Sequence, residues 1–543
     1  MIVSRGGAGA GGLGGAGGSG GVGGVGGPGS LLVAGTTSDA GKSLLTAGIC
    51  RWLARQGVRV APFKAQNMSN NSMVVGVGVG GTSTAGAEIG RAQVMQAQAA
   101  GVEPEVAMNP VLLKPGSDRT SQVVLLGKVF AEASATSYQD LKPRLREAVL
   151  ASYQDLKSRF DVVICEGAGS PTEINLRDGD LVNMGLARPL GMPVVVVGDI
   201  DRGGVFAAFH GTVALLDAED QRLISGFVIN KFRGDPSLLT PGLRQIEGFT
   251  GRPVLGVVPW LPGIRLDAED ALPIEAYAAG AAGAGTGVAE GSRLRVAVVR
   301  FPRVSNFTDV DALAIEPGVD VEFTASASAV ESADLVVLPG TKSTVADLAW
   351  LRERGLEPAL AKRAAEGRPI LGICGGYQML GTQIEDAVES RRGTVAGLGL
   401  LPVRTVFDPA KTLTRPTGLG LGEPVAGYEI HNGQVHVAGG EPLFTDTTGA
   451  PLEGCRHGAV WGTIWHGALE SDGFRRAYLA QVAAACGLRY EPDPTISFAA
   501  EREKQLDRLG DAVEEHLDTD RLWRLIEGGP TAGLPLLAPG AQM

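Results

Sequence analysis

Two short stretches of the 543-residue sequence carry residue types at spacings that do chemistry. In GTTSDAGKS, Gly35 to Ser43, the trio Gly41, Lys42 and Ser43 ends a P-loop. In such a loop, backbone N–H groups surround the phosphates, the lysine reaches the outer ones and the hydroxyl binds Mg²⁺. The usual first glycine would fall at position 36, yet Thr36 stands there and Gly35 comes one place early. An apolar strand before and an apolar-periodic helix after supply the context this motif requires, against the plain alternative of a Gly turn before a helix. In GICGGYQMLG, Gly372 to Gly381, a single cysteine, Cys374, sits among glycines between a strand and a helical run. That is the layout of a nucleophile elbow, with following backbone N–H groups able to hold an oxyanion. A thiol nucleophile implies a base. Among six histidines, His466 in GTIWHG, just past a strand, fits that role, and His431 in GYEIHNG fits a binding or structural one.

Other polar groups stand where apolar strands end. Lys64 in PFKAQNMSNNS either approaches a phosphoryl group or is a plain surface lysine of a polar loop. Glu166 directly follows a buried strand, where a carboxylate is costly unless it meets a cation or a donor. It either binds Mg²⁺ together with Ser43 or caps the following turn. Asp199 and Asp201 in VVVVGDIDRGG carry the same ambiguity. Cys50, Cys165 and Cys486 lie in apolar surroundings and read as core residues, and Cys455 has no elbow around it. No C-x-x-C pair suggests zinc or a disulfide framework, which fits a reducing cytoplasm.

These residues need a scaffold, and 543 residues are too many for one ordinary core. From residue 31 to 275, short apolar runs (LLVAG, VRVAPF, DVVICEG, MPVVVVGDI, ISGFVIN, RPVLGVVP) alternate with helical stretches. Such runs are strands buried on both faces, hence an α/β domain with a doubly wound, mostly parallel sheet and its ligand at the C-terminal strand ends. Residues 276–292 are a Gly/Ala linker, and the strand pattern restarts over 293–490 as a second domain of the same class. Residues 491–543 form a charged, helical extension, and residues 1–30 a Gly-rich, disordered tail without the apolar run of a signal peptide. A formal charge of −11 argues against nucleic acid as a partner, and no run of roughly 18 apolar residues offers a membrane span.

Cys374 in GICGGYQMLG with His466 in GTIWHG resembles the class I glutamine amidotransferases, whose Cys thiolate takes the acyl group of glutamine and releases ammonia. That family's common His-x-Glu is missing, since Gly467 and Ala468 follow His466; Glu429 and Glu470 are the candidates to orient the histidine. The first half is similar to the dethiobiotin synthetase-like P-loop group, which shares the early glycine. PFKAQNMSNNS, EIGRAQ, MNPVLLKP, EGAGSPTEINL, DIDRGGVFA, NKFRGD and GYEIHNG, in this order, resemble the cobyric acid synthase family specifically.

The resemblance implies ATP- and glutamine-dependent amidation of the b, d, e and g side-chain carboxylates of adenosylcobyrinic acid a,c-diamide, through acyl phosphates. It implies ATP and Mg²⁺ on Thr36, Thr37, Ser38, Asp39, Ala40, Gly41, Lys42 and Ser43, with Glu166 as second metal ligand and Asp199 near the phosphates as a possible one. Asn230 would face the adenine, while Lys64, Asn67, Asn70 and Asn71 would sit near the corrinoid carboxylate. Gly340 and Gly375 would give the oxyanion N–H groups. Whether Asp39 touches metal or substrate stays open, as does the oligomeric state. The rivals are cobyrinic acid a,c-diamide synthase, a P-loop regulatory ATPase with an inactive amidotransferase-like domain, and an unrelated cysteine hydrolase.

Overall fold

All six apolar runs of the first half become strands of one parallel sheet. Its spatial order is Val254–Pro259, Ile224–Phe232, Val194–Asp199, Gly29–Gly35, Val162–Glu166, Val60–Phe63. The central strand starts at Gly29, two residues inside the expected tail. The structure is a computed structural model describing residues 29–76, 86–116, 120–266 and 293–542; the Gly/Ala stretch 276–292 and the start of the chain lie outside them. Leu31, Leu32 and Val33 are fully buried because helices cover both faces of the sheet, so no alternation with polar residues is needed. The first strand-to-helix turn is the Gly35–Ser43 loop, and Lys42–Arg55 is the helix it opens.

In the second half the order is Val319–Thr324, Leu294–Val299, Leu335–Leu338, Ile370–Ile373, Val460–Thr463, Cys455–His457, parallel except for the last, antiparallel pair. The sequence patterns of this domain identify four of these strands; Val319–Thr324 carries Asp320 and Glu322 in VDVEFT, a strand at the sheet edge with half-exposed polar positions rather than an apolar run. Smaller sheets flank both domains, among their antiparallel pairs Ser72–Gly76 with Gly86–Gly90, and Val403–Thr414 with Glu429–Val437.

The C-terminal helices Phe498–His516 and Thr519–Gly528 return to the first domain. Leu506, Leu509, Val513, Leu522, Leu525 and Ile526 are buried in the same core as Leu45, Ile49 and Leu53 of the P-loop helix. Each such side chain removed from water contributes about 1.5–3 kcal/mol. The charged face of the first helix meets the same partner, through Arg51 with Glu503 and Asp507 and Arg55 with Asp511. The extension is therefore part of the first domain's wall.

The two domains meet through buried polar groups. Glu88 takes Lys114 from its own domain and Lys411 from the other, the latter at 2.6 Å. Burial alone would raise this carboxyl, but the two ammonium groups hold it well below its ordinary value. Arg91 reaches across to Glu470 at 2.5 Å and to the Tyr428 hydroxyl at 3.1 Å.

Candidate active site

The early glycine of the P-loop has a steric reason. A Cβ at Gly35 would stand 2.9 Å from the Thr37 carbonyl oxygen and 3.0 Å from Lys42 Nζ, because the lysine folds back over the strand end. Lys42 Nζ donates to Thr37 O at 3.0 Å, and Thr36 N is spent on Val197 O in the neighbouring strand, at 2.9 Å. The Thr36 N–H thus extends the pairing one residue past the strand end at Gly35, and the loop turns through Asp39 (φ 58°) and Gly41 (φ 96°).

Behind the loop, Glu166 gathers three donors: Ser43 Oγ at 2.8 Å, Lys64 Nζ at 2.9 Å and Gln96 Nε2 at 2.5 Å. It is fully buried, which alone would raise its carboxyl, yet Lys64 above all, then Gln96 and Ser43, lowers it. An ionised carboxylate beside a serine hydroxyl fits Mg²⁺, which usually takes one or two protein oxygens and fills the rest with phosphates and water. Among the described residues there is no group of three or more His, Cys, Asp or Glu that could hold a metal ion.

The other expected ligands separate. Asp199 is not drawn to Ser43 and Glu166: Lys231 Nζ binds it at 2.8 Å and Arg202 Nε lies at 3.5 Å, so its carboxylate meets cationic side chains. The Asp39 side chain points at Arg202, 3.2 Å away, and its carbonyl accepts from Lys231 Nζ at 2.6 Å. Asn230 lies beneath the loop, one Nδ2 hydrogen donating to Ala40 O at 2.9 Å. Of the polar loop, Asn67 donates to Gln93 at 2.8 Å, Asn70 leaves Oδ1 buried without a partner among the described residues, and Asn71 reaches into the second domain.

In the second domain Cys374 sits at φ 49°, ψ −109°, a conformation costly for a residue with a Cβ, at the start of the helix Gly375–Leu380. The turn tolerates only glycine next door, since a Cβ at Gly376 would lie 1.9 Å from Leu338 O. His466 lies beside the Cys374 thiol and pairs through Nδ1 with Asp309 Oδ2 at 2.7 Å; the second Asp309 oxygen takes Gly467 N at 2.8 Å. Burial alone would lower the imidazole, but Asp309 and then Cys374 outweigh it and push it up to about 10. An imidazolium beside the thiol is the partner a cysteine thiolate needs. Gly340 packs against this ring, where an added Cβ would lie 2.9 Å from His466 Cε1, and Gly375 follows the thiol directly.

Asp309 fills the position that Glu429 and Glu470 had been candidates for. Glu429 instead accepts from Thr414 and Trp465, and Glu470 from Arg91. The sequence offered little signal: Asp309 lies 157 residues before its partner, in a turn with Asp311 nearby and no spacing rule linking it to a histidine. His431 is buried, bonds Gly433 O through Nδ1 at 2.9 Å and, pushed down to about 4 by burial, stays neutral. Tyr428, also unforeseen, stacks on His466 at 5.2 Å between ring centroids.

Two family models match successive parts of the chain. Residues 31–274 match the CobQ/CobB/MinD/ParA nucleotide binding domain, and residues 295–474 the CobB/CobQ-like glutamine amidotransferase domain. Cobyric acid synthase of Streptomyces avermitilis is 61% identical over 514 residues, covering 94% of this chain and 99% of its own. The chain belongs to the cobyric acid synthase family. Cobyric acid synthase of Mycobacterium tuberculosis is 57% identical over 516 residues, with 94% and 99% covered. A solved glutamine amidotransferase aligns at 18% identity with a TM-score of 0.29, covering 36% of this chain and 99% of its own. As a member of the cobyric acid synthase family, the chain is a glutamine-dependent amide ligase of cobalamin biosynthesis. Among the described residues no helix is long and apolar enough to cross a membrane.

Proposed function

We propose that the chain converts adenosylcobyrinic acid a,c-diamide to adenosylcobyric acid in the cytoplasm, amidating the b, d, e and g carboxylates with ATP and glutamine. The observation that carries this reading is one chain holding both the Ser43–Lys64–Glu166 cluster behind a P-loop and the Cys374–His466–Asp309 triad. A carboxylate does not react with ammonia at neutral pH until one oxygen becomes a leaving group. Transfer of the ATP γ-phosphoryl to that oxygen supplies it, with release of ADP.

Lys42 and the Thr37–Gly41 backbone hold the phosphates, the Thr36 N–H being committed to Val197 O. Ser43 and Glu166 would hold Mg²⁺, which would offset phosphate charge when bound. Lys64, paired with Glu166, lies within that cluster to meet the substrate carboxylate or the transferring group. Asn67, Asn70 and Asn71 belong to the same loop, and the unpartnered Asn70 Oδ1 is an acceptor for a corrinoid amide or hydroxyl donor.

At the second site the Cys374 thiolate attacks the glutamine amide carbon while Gly340 and Gly375 N–H groups face the oxyanion. His466 gives its proton to the departing ammonia, and Asp309 holds the ring in place. Water then cleaves the thioester to glutamate, with His466 taking the proton back. Ammonia attacks the acyl phosphate, the C–N bond forms, the C–O bond to phosphate breaks, and inorganic phosphate leaves.

The test is incubation with ATP, Mg²⁺, glutamine and the a,c-diamide, followed by mass spectrometry. Four successive amide increments are expected. An enzyme that adds none to the diamide but amidates the parent cobyrinic acid twice would assign it to the a,c-diamide synthase reaction instead.

A further inference from the structure

The turn that carries Asp309 is held from the other domain. Asn306, 2% exposed, opens it in a left-handed conformation (φ 50°, ψ 41°) that asparagine tolerates better than most residues. Its backbone N–H donates to Asn71 Oδ1 at 2.8 Å, and its own Oδ1 accepts from Ser72 N at 2.9 Å. Both partners belong to PFKAQNMSNNS, the loop that also supplies Lys64 and Asn67.

From this one residue the turn runs in two directions. Asp309 N bonds Asn306 O at 3.1 Å, closing the 3₁₀ turn that aims Asp309 at His466. Before it, Ser305 N bonds Gly340 O at 2.9 Å, so the same turn fixes the strand end facing the thiol. The far face of the imidazole is held similarly, since Tyr428 stacks on it and takes a hydrogen bond from Arg91 of the first domain.

We infer that Asn306 is a positioning residue for the glutamine reaction: clasped by Asn71 and Ser72, it aligns Asp309 and Gly340 around His466 and makes ammonia release depend on how the synthetase loop is seated. The inference rests on the two-site reading above. Its chemical logic is that a base and an oxyanion donor work only near their productive geometry, and a displacement of about 1 Å costs about 10²-fold. A loop that changes its hold on Asn306 when a corrinoid occupies it would thereby change the glutamine rate without touching glutamine.

Asn306→Gly tests this, because glycine keeps the left-handed backbone and the N–H bond to Asn71 while removing the side chain that holds Ser72 N. In the full chain the expected result is a ten- to hundred-fold fall in kcat for glutamine hydrolysis, with KM for glutamine within twofold. Amidation from ammonium chloride remains within twofold of wild type. Asn306→Asp, which keeps an acceptor oxygen and tolerates the same backbone, retains at least a third of the wild-type rate. Glutamine hydrolysis unchanged in Asn306→Gly overturns the inference. So does an equal loss of ammonia-dependent amidation, which marks general damage. A wild-type chain that hydrolyses glutamine but amidates nothing from either nitrogen source refutes the substrate reading, while the glutamine kinetics of the variant still decide the role of Asn306.

Discussion

Replacing Asp309 by asparagine keeps the shape of the side chain and removes its charge, which isolates what the carboxylate does for His466. The imidazole is raised from 6.5 to about 10, a difference of about 5 kcal/mol between its two protonation states. Asp309, ahead of Cys374, is the largest of the interactions that favour the imidazolium against burial, so losing it weakens that preference. That predicts a fall of about 10²-fold in glutamine-dependent amidation, with ammonia-dependent amidation unchanged. The sign of the pH effect follows from the same pair. Because the folded histidine binds its proton more tightly than the unfolded one, the pair stabilises the fold fully below about pH 6.5 and loses that contribution as pH rises through about 10. The stability difference between wild type and Asp309→Asn, measured by urea unfolding, is therefore expected to be larger at pH 6 than at pH 10.5, and the alkaline limb of glutamine hydrolysis to begin at lower pH in the variant. A loss smaller than fivefold, or a stability gap that widens with pH, refutes the reasoning.

Three further outcomes follow from the geometry. Cys374→Ala is expected to lose glutamine-dependent amidation while ammonium chloride sustains the reaction; failure of ammonia to rescue it would break the division of labour between the sites. Lys42→Ala is expected to abolish amidation from either nitrogen source, by at least 10²-fold, because its ammonium lies inside the phosphate loop, 3.0 Å from Thr37 O. Leu506→Ala, at a fully buried position of the C-terminal helix, is expected to destabilise the first domain by about 2–5 kcal/mol, read as a lower midpoint in urea of an ATP-domain signal. An unchanged midpoint would mean that the helix does not form part of that core.

What could be read in the sequence was what is local along it. Gly35–Ser43 and Gly372–Gly381 each hold their chemistry within one strand, turn and helix, so residue order alone indicates the geometry. Apolar strands buried on both faces were equally plain. Asp309 was not, because a triad's third member can come from any loop that the fold brings near, and here it arrives from after the first strand of its domain. The tie between Asn71 and Asn306 was hidden for the same reason, being 235 residues long in sequence and 2.8 Å in space. The helical pattern after Phe498 was legible as helix, yet periodicity reveals that a face is apolar and not which surface it covers. Gln96 illustrates a further blind spot: an uncharged amide in a helix has no pattern that announces a carboxylate beneath it.

The backbone at Cys374 has a consequence for the protein's own endurance. With φ 49° and ψ −109°, the cysteine occupies a region that suits glycine, at a penalty of order 1–3 kcal/mol. A glycine there would relieve it at a cost of roughly 0.5–1 kcal/mol in its own backbone entropy and the packing of a buried thiol, so the strain is kept with the chemistry. The retained strain is the signature of a nitrogen source that has to be earned from glutamine.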